Sequence, residues 1–111
     1  MTPLQIQTRQ AGVAVVVSLV GPADMNNEAA LERQVNRLTA ARPAVVVLDL
    51  AGLTFLASMA VGQFVMLARS LKGWGGSVRV AAPSPQVRLV LERCRLGDTL
   101  PAFPSIEEAL A

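Results

Sequence analysis

Histidine and tyrosine are absent from this chain of 111 residues, and cysteine (Cys94) and tryptophan (Trp74) each occur once. Without histidine the usual general base is gone, so Ser-His-Asp and Cys-His arrangements are excluded. One thiol and no imidazole supply too few ligands for zinc or another soft metal. A lone cysteine cannot staple its own chain, which agrees with a reducing compartment. No G-x-x-x-x-G-K-[ST] occurs, and the glycines of GWGG follow a helical pattern rather than a strand, so neither arrangement cradles phosphate in a known way. Asp24, Asp49 and Asp98 could in principle pair, yet Asp49 lies in an apolar strand pattern, where alternation or a strand-end position explains it more simply. By elimination the expectation is no enzymatic activity, no cofactor and no metal.

Other shortages narrow the class further. Aromatic residues are 4% of the chain, and the basic residues Arg33, Arg37, Arg42, Arg69, Lys72, Arg88, Arg93 and Arg95 are dispersed. A net charge of +2 and a pI near 9.5 therefore come without the aromatic-basic platform of a nucleic-acid binder. The longest apolar runs, Val13 to Val20 and Ala44 to Leu50, fall far short of the ~20 residues of a membrane helix. The opening MTPLQIQTRQ lacks a basic patch followed by an apolar stretch, so no signal peptide and a cytoplasmic location are expected.

What is abundant is aliphatic. Hydrophobic residues make up 52% and the mean hydropathy is +0.46, enough for residues 1–111 to fold as one domain around a Val-Leu-Ala core. LQIQTRQ alternates, Ala11-Gly12 turns, and VAVVVSLVG reads as a buried strand, giving a hairpin. In NEAALERQVNRLTAAR, Leu31, Val35 and Leu38 recur at helical spacing. AVVVLDL has the β-branched run of a central parallel strand covered on both faces.

From Ser58, the residues Val61, Phe64, Val65, Ala68 and Leu71 share one helical face, and KGWGG ends that helix. SVRVAA is a further strand. Ser84 and Pro85 open a third helix as cap and first residue. LGDTLPAF is a turn and at most a short edge strand, and Ser105 with Glu108 forms a capping box for a small last helix. The sum is an α/β fold: one mixed, mainly parallel sheet of four to five strands with about four helices.

The stretch LTFLASMAVG, Leu53 to Gly62, reads as an apolar loop running into a serine at a helix start. Ser58 has a structural explanation as an N-cap, worth ~1 kcal/mol. Gly62 sits inside the helix at a cost of ~1 kcal/mol relative to alanine, explained either by close packing on the sheet or by a docking partner. Leu53, Phe55, Leu56 and Met59 divide between core plugs and an exposed apolar patch of the kind that marks an interaction site, with Met59 suited to an adaptable contact.

Together, the strand ending before LTFL, the serine and glycine after it, the GG before the next strand and the SPQVRLVLE helix resemble the STAS domain, in particular the bacterial anti-sigma factor antagonists. LVGPADMNNEAALERQV is similar to that family's strand, G-x-x-D turn and first helix, so the likeness covers nearly the whole chain. In those antagonists the loop commonly reads D-S-[ST]-G-L-G, and its first serine is phosphorylated by a cognate anti-sigma kinase. Ala57 stands here at the acidic position, Ser58 at the phosphorylated serine, Met59 at the second hydroxyl, Ala60 at the first glycine, Val61 at the leucine and Gly62 at the last glycine.

The resemblance implies a partner-switching regulator. It would bind an anti-sigma factor with serine-kinase activity through Asp24, Phe55, Leu56, Ala57, Ser58, Met59 and Gly62, be released by phosphorylation of Ser58, and be reset by a phosphatase. It also implies a monomer or weak homodimer. The alternative is a STAS adaptor of a transporter or signalling scaffold in which Ser58 is only a cap, and nucleotide binding by the domain itself is a third possibility.

Overall fold

The structure, a computed structural model, describes residues 2–111. Strands β1 (Gln5–Ala11) and β2 (Ala14–Ala23) form the expected antiparallel hairpin, in unbroken register from Gln5 opposite Val20 to Ala11 opposite Ala14. Gly12, at φ +64°, takes the left-handed position that lets the connection close in two residues. After a 3-10 turn at Met25–Asn27, helix α1 (Glu28–Ala41) buries Leu31, Val35 and Leu38 and returns the chain to β3 (Val45–Asp49).

β3 is central and parallel to both β2 and β5 (Ser77–Ala81), with Val46, Val47 and Leu48 all buried. Its residues alternate between two apolar layers, which is why the run reads as continuous rather than alternating hydrophobicity. Leu48 and Val46 join the main core under α1, α2 (Ser58–Lys72) and α3 (Pro85–Arg93), whereas Val47 packs with Val16, Ala81 and Ala109 beneath α4 (Ile106–Leu110).

LTFL is not a loop. Leu53–Leu56 form β4, parallel to the last residues of β2, with Leu53 opposite Gly21 and Leu56 opposite Ala23. The cause is the length of β2. Its ten residues outrun β3, and the unpaired backbone of Gly21 to Ala23 takes the next segment of chain as a ladder partner across an irregularity at Gly21/Pro22. The sheet therefore has six strands rather than four to five, in the order β1-β2-β3-β5-β6 with β4 on β2, and β6 (Ala102–Phe103) is the short edge strand.

The predicted caps of α3 and α4 are present: Ser84 Oγ accepts from the Val87 N–H at 3.3 Å, and Ser105 Oγ from the Glu108 N–H at 3.1 Å. Beyond α2, Gly76 lies where a Cβ would meet the Ala44 carbonyl at 2.9 Å, and the Trp74 indole N–H donates to the Pro43 carbonyl at 3.1 Å. No helix among the described residues is long and apolar enough to cross a membrane.

Candidate functional site

The ladder between β2 and β4 decides where α2 begins. The Ala57 N–H donates to the Ala23 carbonyl at 3.0 Å, which holds Ala57 extended at φ −77°, ψ 156° as the N-cap. Ser58 is consequently the first helical residue. Its hydroxyl makes no capping bond, and alanine at the cap has no side chain to offer one. The N-cap explanation of Ser58 is thereby overturned: the residue is exposed and its hydroxyl is free of that structural duty.

No acidic residue lies in the first turn of α2, so the positive end of its macrodipole is uncompensated by any carboxylate within the turn. An anion on Ser58 would sit within that turn, where it is favoured by ~0.3–1 kcal/mol at an exposed site.

Gly62 is also explained differently from the packing expectation. A Cβ built there meets nothing within 4 Å, and the residue is exposed. The glycine does not serve an approach to the sheet; it lies one turn beyond Ser58 on the outward face of α2, followed by Met66, which is 61% exposed. Gly62→Ala is expected to raise folding stability by about 0.5–1 kcal/mol, since it removes chain entropy without a clash. Thermal melting of the variant checks this, and a lower midpoint would reinstate the packing explanation.

The apolar residues of LTFLASM separate cleanly. Leu53 and Leu56 are core, at 3% and 5% exposure, and Met59 is half-buried against the same core. Leu56 is mostly buried and reaches the surface only as part of a cleft wall; both end residues of β4 turn inward because the register shift at Gly21/Pro22 leaves Thr54 as an extra residue and breaks the strand's alternation. Phe55 is the exposed one, at 54%, and with Thr54, Leu56, Gln86, Val87 and Val90 it borders an apolar cleft of about 230 Å³ between β4 and α3.

Asp24 is half-buried immediately after β2 and next to Ala23, so the ladder brings it to the same end of the domain as Ser58. Its Oδ1 accepts from the Asn26 N–H at 3.1 Å and from Asn27 Nδ2 at 3.0 Å, fixing the turn into α1.

One organising residue was not singled out from sequence. Asn27, only 7% exposed, accepts from the Leu4 N–H at 2.9 Å and donates through Nδ2 to the carbonyls of Thr2 and Pro22 at 3.2 and 3.0 Å. It ties the start of the chain to the end of β2 beside the candidate surface. Its sequence signal is slight, an asparagine three residues after Asp24 at a helix entry, because its partners are brought to it only by folding.

A mixed, mainly parallel sheet with a serine at the mouth of the helix after LTFL agrees with the STAS layout that the resemblance implies, and residues 5–109 match the STAS domain family. The chain belongs to that family. Over 100 residues, 88% of this chain and 78% of the relative, it is 31% identical to the anti-sigma-F factor antagonist RsfA of Mycobacterium tuberculosis (strain CDC 1551 / Oshkosh). Among solved structures, an anti-sigma factor antagonist from Mycobacterium paratuberculosis is similar with a TM-score of 0.88 at 27% identity, over 96% of this chain and 91% of the other. The anti-sigma factor antagonist SpoIIAA in its unphosphorylated form is similar with a TM-score of 0.81 at 25% identity, over 96% and 93%.

Proposed function

We propose that this protein is an anti-sigma factor antagonist that binds an anti-sigma factor with serine-kinase activity, and that phosphorylation of Ser58 releases it. The observation that carries this reading is the exposed Ser58 side chain at the first residue of α2, with no capping bond to maintain. Phe55 at its 54% exposure, Asp24, the half-buried Ala57 and Met59, and the open surface at Gly62 form the docking surface around it. Leu56 supports that surface from beneath.

The chemistry of release is electrostatic. A phosphoserine adds about −1.5 to −2 charges, tolerable in the free domain because the helix mouth and water both stabilise it. A partner that covers the same mouth with apolar or acidic surface strips that water and offers no counter-charge, at a cost of several kcal/mol. Incubation of the protein with its cognate kinase and ATP is expected to add one phosphate, mapped by mass spectrometry to Ser58. An unmodified Ser58, under conditions that label an accepted substrate of that kinase, would defeat the switch.

A second reading has its own support. Ala57, Met59 and Ala60 stand where the antagonists' loop commonly has an acid, a second hydroxyl and a glycine. Ala60 is fully buried and Ala57 holds the cap position, so these changes adjust the helix start without disturbing the fold. They favour a STAS adaptor that binds its partner constitutively, with Ser58 unmodified.

A further inference from the structure

At the far end of α2, about 14 residues and therefore roughly 20 Å from Ser58, the sheet has an interrupted edge. β6 pairs only with Val80 and Ala81 of β5. The Val80 N–H donates to the Pro101 carbonyl at 2.9 Å, and there the ladder stops. The next bond in a parallel pairing would run from the nitrogen of residue 101 to the Val78 carbonyl, and proline has no N–H to give. The chain before Pro101 turns away at Gly97 to Thr99, so the β5 main chain at Val78 has no strand neighbour on that side.

A cavity of about 560 Å³ occupies the gap, floored by β5 from Ser77 to Arg79 and walled by the last turns of α2 and by Asp98 and Thr99. Its charge is unbalanced. Arg69 and Lys72 line it from α2, both exposed, and Asp98 is the only acid in the lining. Arg79, at the end of the floor, directs its Nη1 away from it, to the main-chain oxygens of Ala109 at 2.6 Å and Ala111 at 3.4 Å. The one ion pair among the described residues, Arg88 with Glu92, lies elsewhere on α3. With Arg79 so engaged, Arg69 and Lys72 against Asp98 leave an excess of one positive charge at this cavity.

We infer that this cavity docks an extended acidic segment of a partner protein, with carboxylates two residues apart. Three features of the cavity fit that occupant. An extended peptide supplies both a donor and an acceptor to the interrupted β5 edge, whereas a simple anion supplies acceptors only. Side chains at alternate positions of an extended segment project the same way, about 6.5–7 Å apart along the chain. Arg69 and Lys72, three residues apart on α2, are surface neighbours with Cβ atoms roughly 5–6 Å apart, a matching spacing. The lining contains no aromatic side chain on which a nucleobase would stack.

The site is remote from Ser58 and does not depend on the switch. The test is an NMR titration of the full chain with a capped octapeptide bearing glutamates at two alternate positions, with inorganic phosphate and a lysine-for-glutamate peptide as comparators. The glutamate peptide is expected to move the amide signals of Ser77, Val78 and Thr99. The double variant Arg69→Glu, Lys72→Glu should raise its Kd at least about tenfold, and Ser58→Glu should leave it unchanged. Absence of shifts at millimolar peptide, equal shifts with phosphate or the lysine peptide, or undiminished binding by the double variant would each overturn the assignment. None of these outcomes bears on the role of Ser58.

Discussion

Ser58→Glu is expected to weaken binding of the cognate anti-sigma factor by about a hundredfold or more, and Ser58→Ala to leave it within about threefold of the parent. The asymmetry follows from what the hydroxyl does in the free domain. It makes no capping bond, so its removal orphans no N–H, and the usual ~1 kcal/mol loss on replacing a capping serine does not apply. The glutamate variant is expected to melt no lower than the parent, because a negative charge in the first turn of α2 is favoured by ~0.3–1 kcal/mol.

Folding and binding therefore move independently, which separates a switch from damage. Covering the helix mouth forces the carboxylate out of water, and a buried unpaired charge costs ~3–5 kcal/mol in an interface. Calorimetric titration of parent, alanine and glutamate variants against the purified partner reads the difference directly. Equal affinities for all three, with unchanged melting, would favour the constitutive adaptor.

Asn27→Ala should be the most damaging single change near the site, destabilising the fold by about 3 kcal/mol, or roughly 10–20 °C in melting temperature. The residue is buried, and its side chain serves a main-chain donor at Leu4 and acceptors at Thr2 and Pro22. Truncation leaves these groups without a partner, and each one still buried costs ~1–3 kcal/mol. Asn27→Asp sharpens the test. It keeps an acceptor for the Leu4 N–H, but loses the donor to Pro22 and sets a second carboxylate beside Asp24 Oδ1, where the amide now donates at 3.0 Å. Thermal melts should therefore place the aspartate variant below the parent as well. A loss under 1 kcal/mol for both variants would show that water replaces these bonds at no cost.

Much of the scaffold is legible in the residues because it depends on local periodicity. Val45 to Leu48 announce a strand covered on both sides, Leu31, Val35 and Leu38 a helix with one buried face, and Ser84-Pro85 and Ser105 their own helix starts. Each of these signals lies within one or two turns of chain, where spacing fixes which side chains face together.

The details around Ser58 belong to the fold. LTFL is too short, and too irregular in pattern, to be distinguished from a loop, and it becomes a strand only because β2 extends past β3 and leaves Gly21 to Ala23 wanting a partner. That pairing moves the cap from Ser58 to Ala57, turns Leu56 inward and leaves Phe55 outside. Gly62 likewise has no meaning until its surroundings are known, and they prove to be open space.

The chain by itself determined the α/β layout and the presence of a hydroxyl after LTFLA, since composition and short-range pattern survive without coordinates. Tertiary structure alone decided whether that hydroxyl was spent on capping or left free. Hydrogen-bond partners such as Ala23 for Ala57, and Leu4 for Asn27, are 34 and 23 residues away and meet only when the sheet assembles.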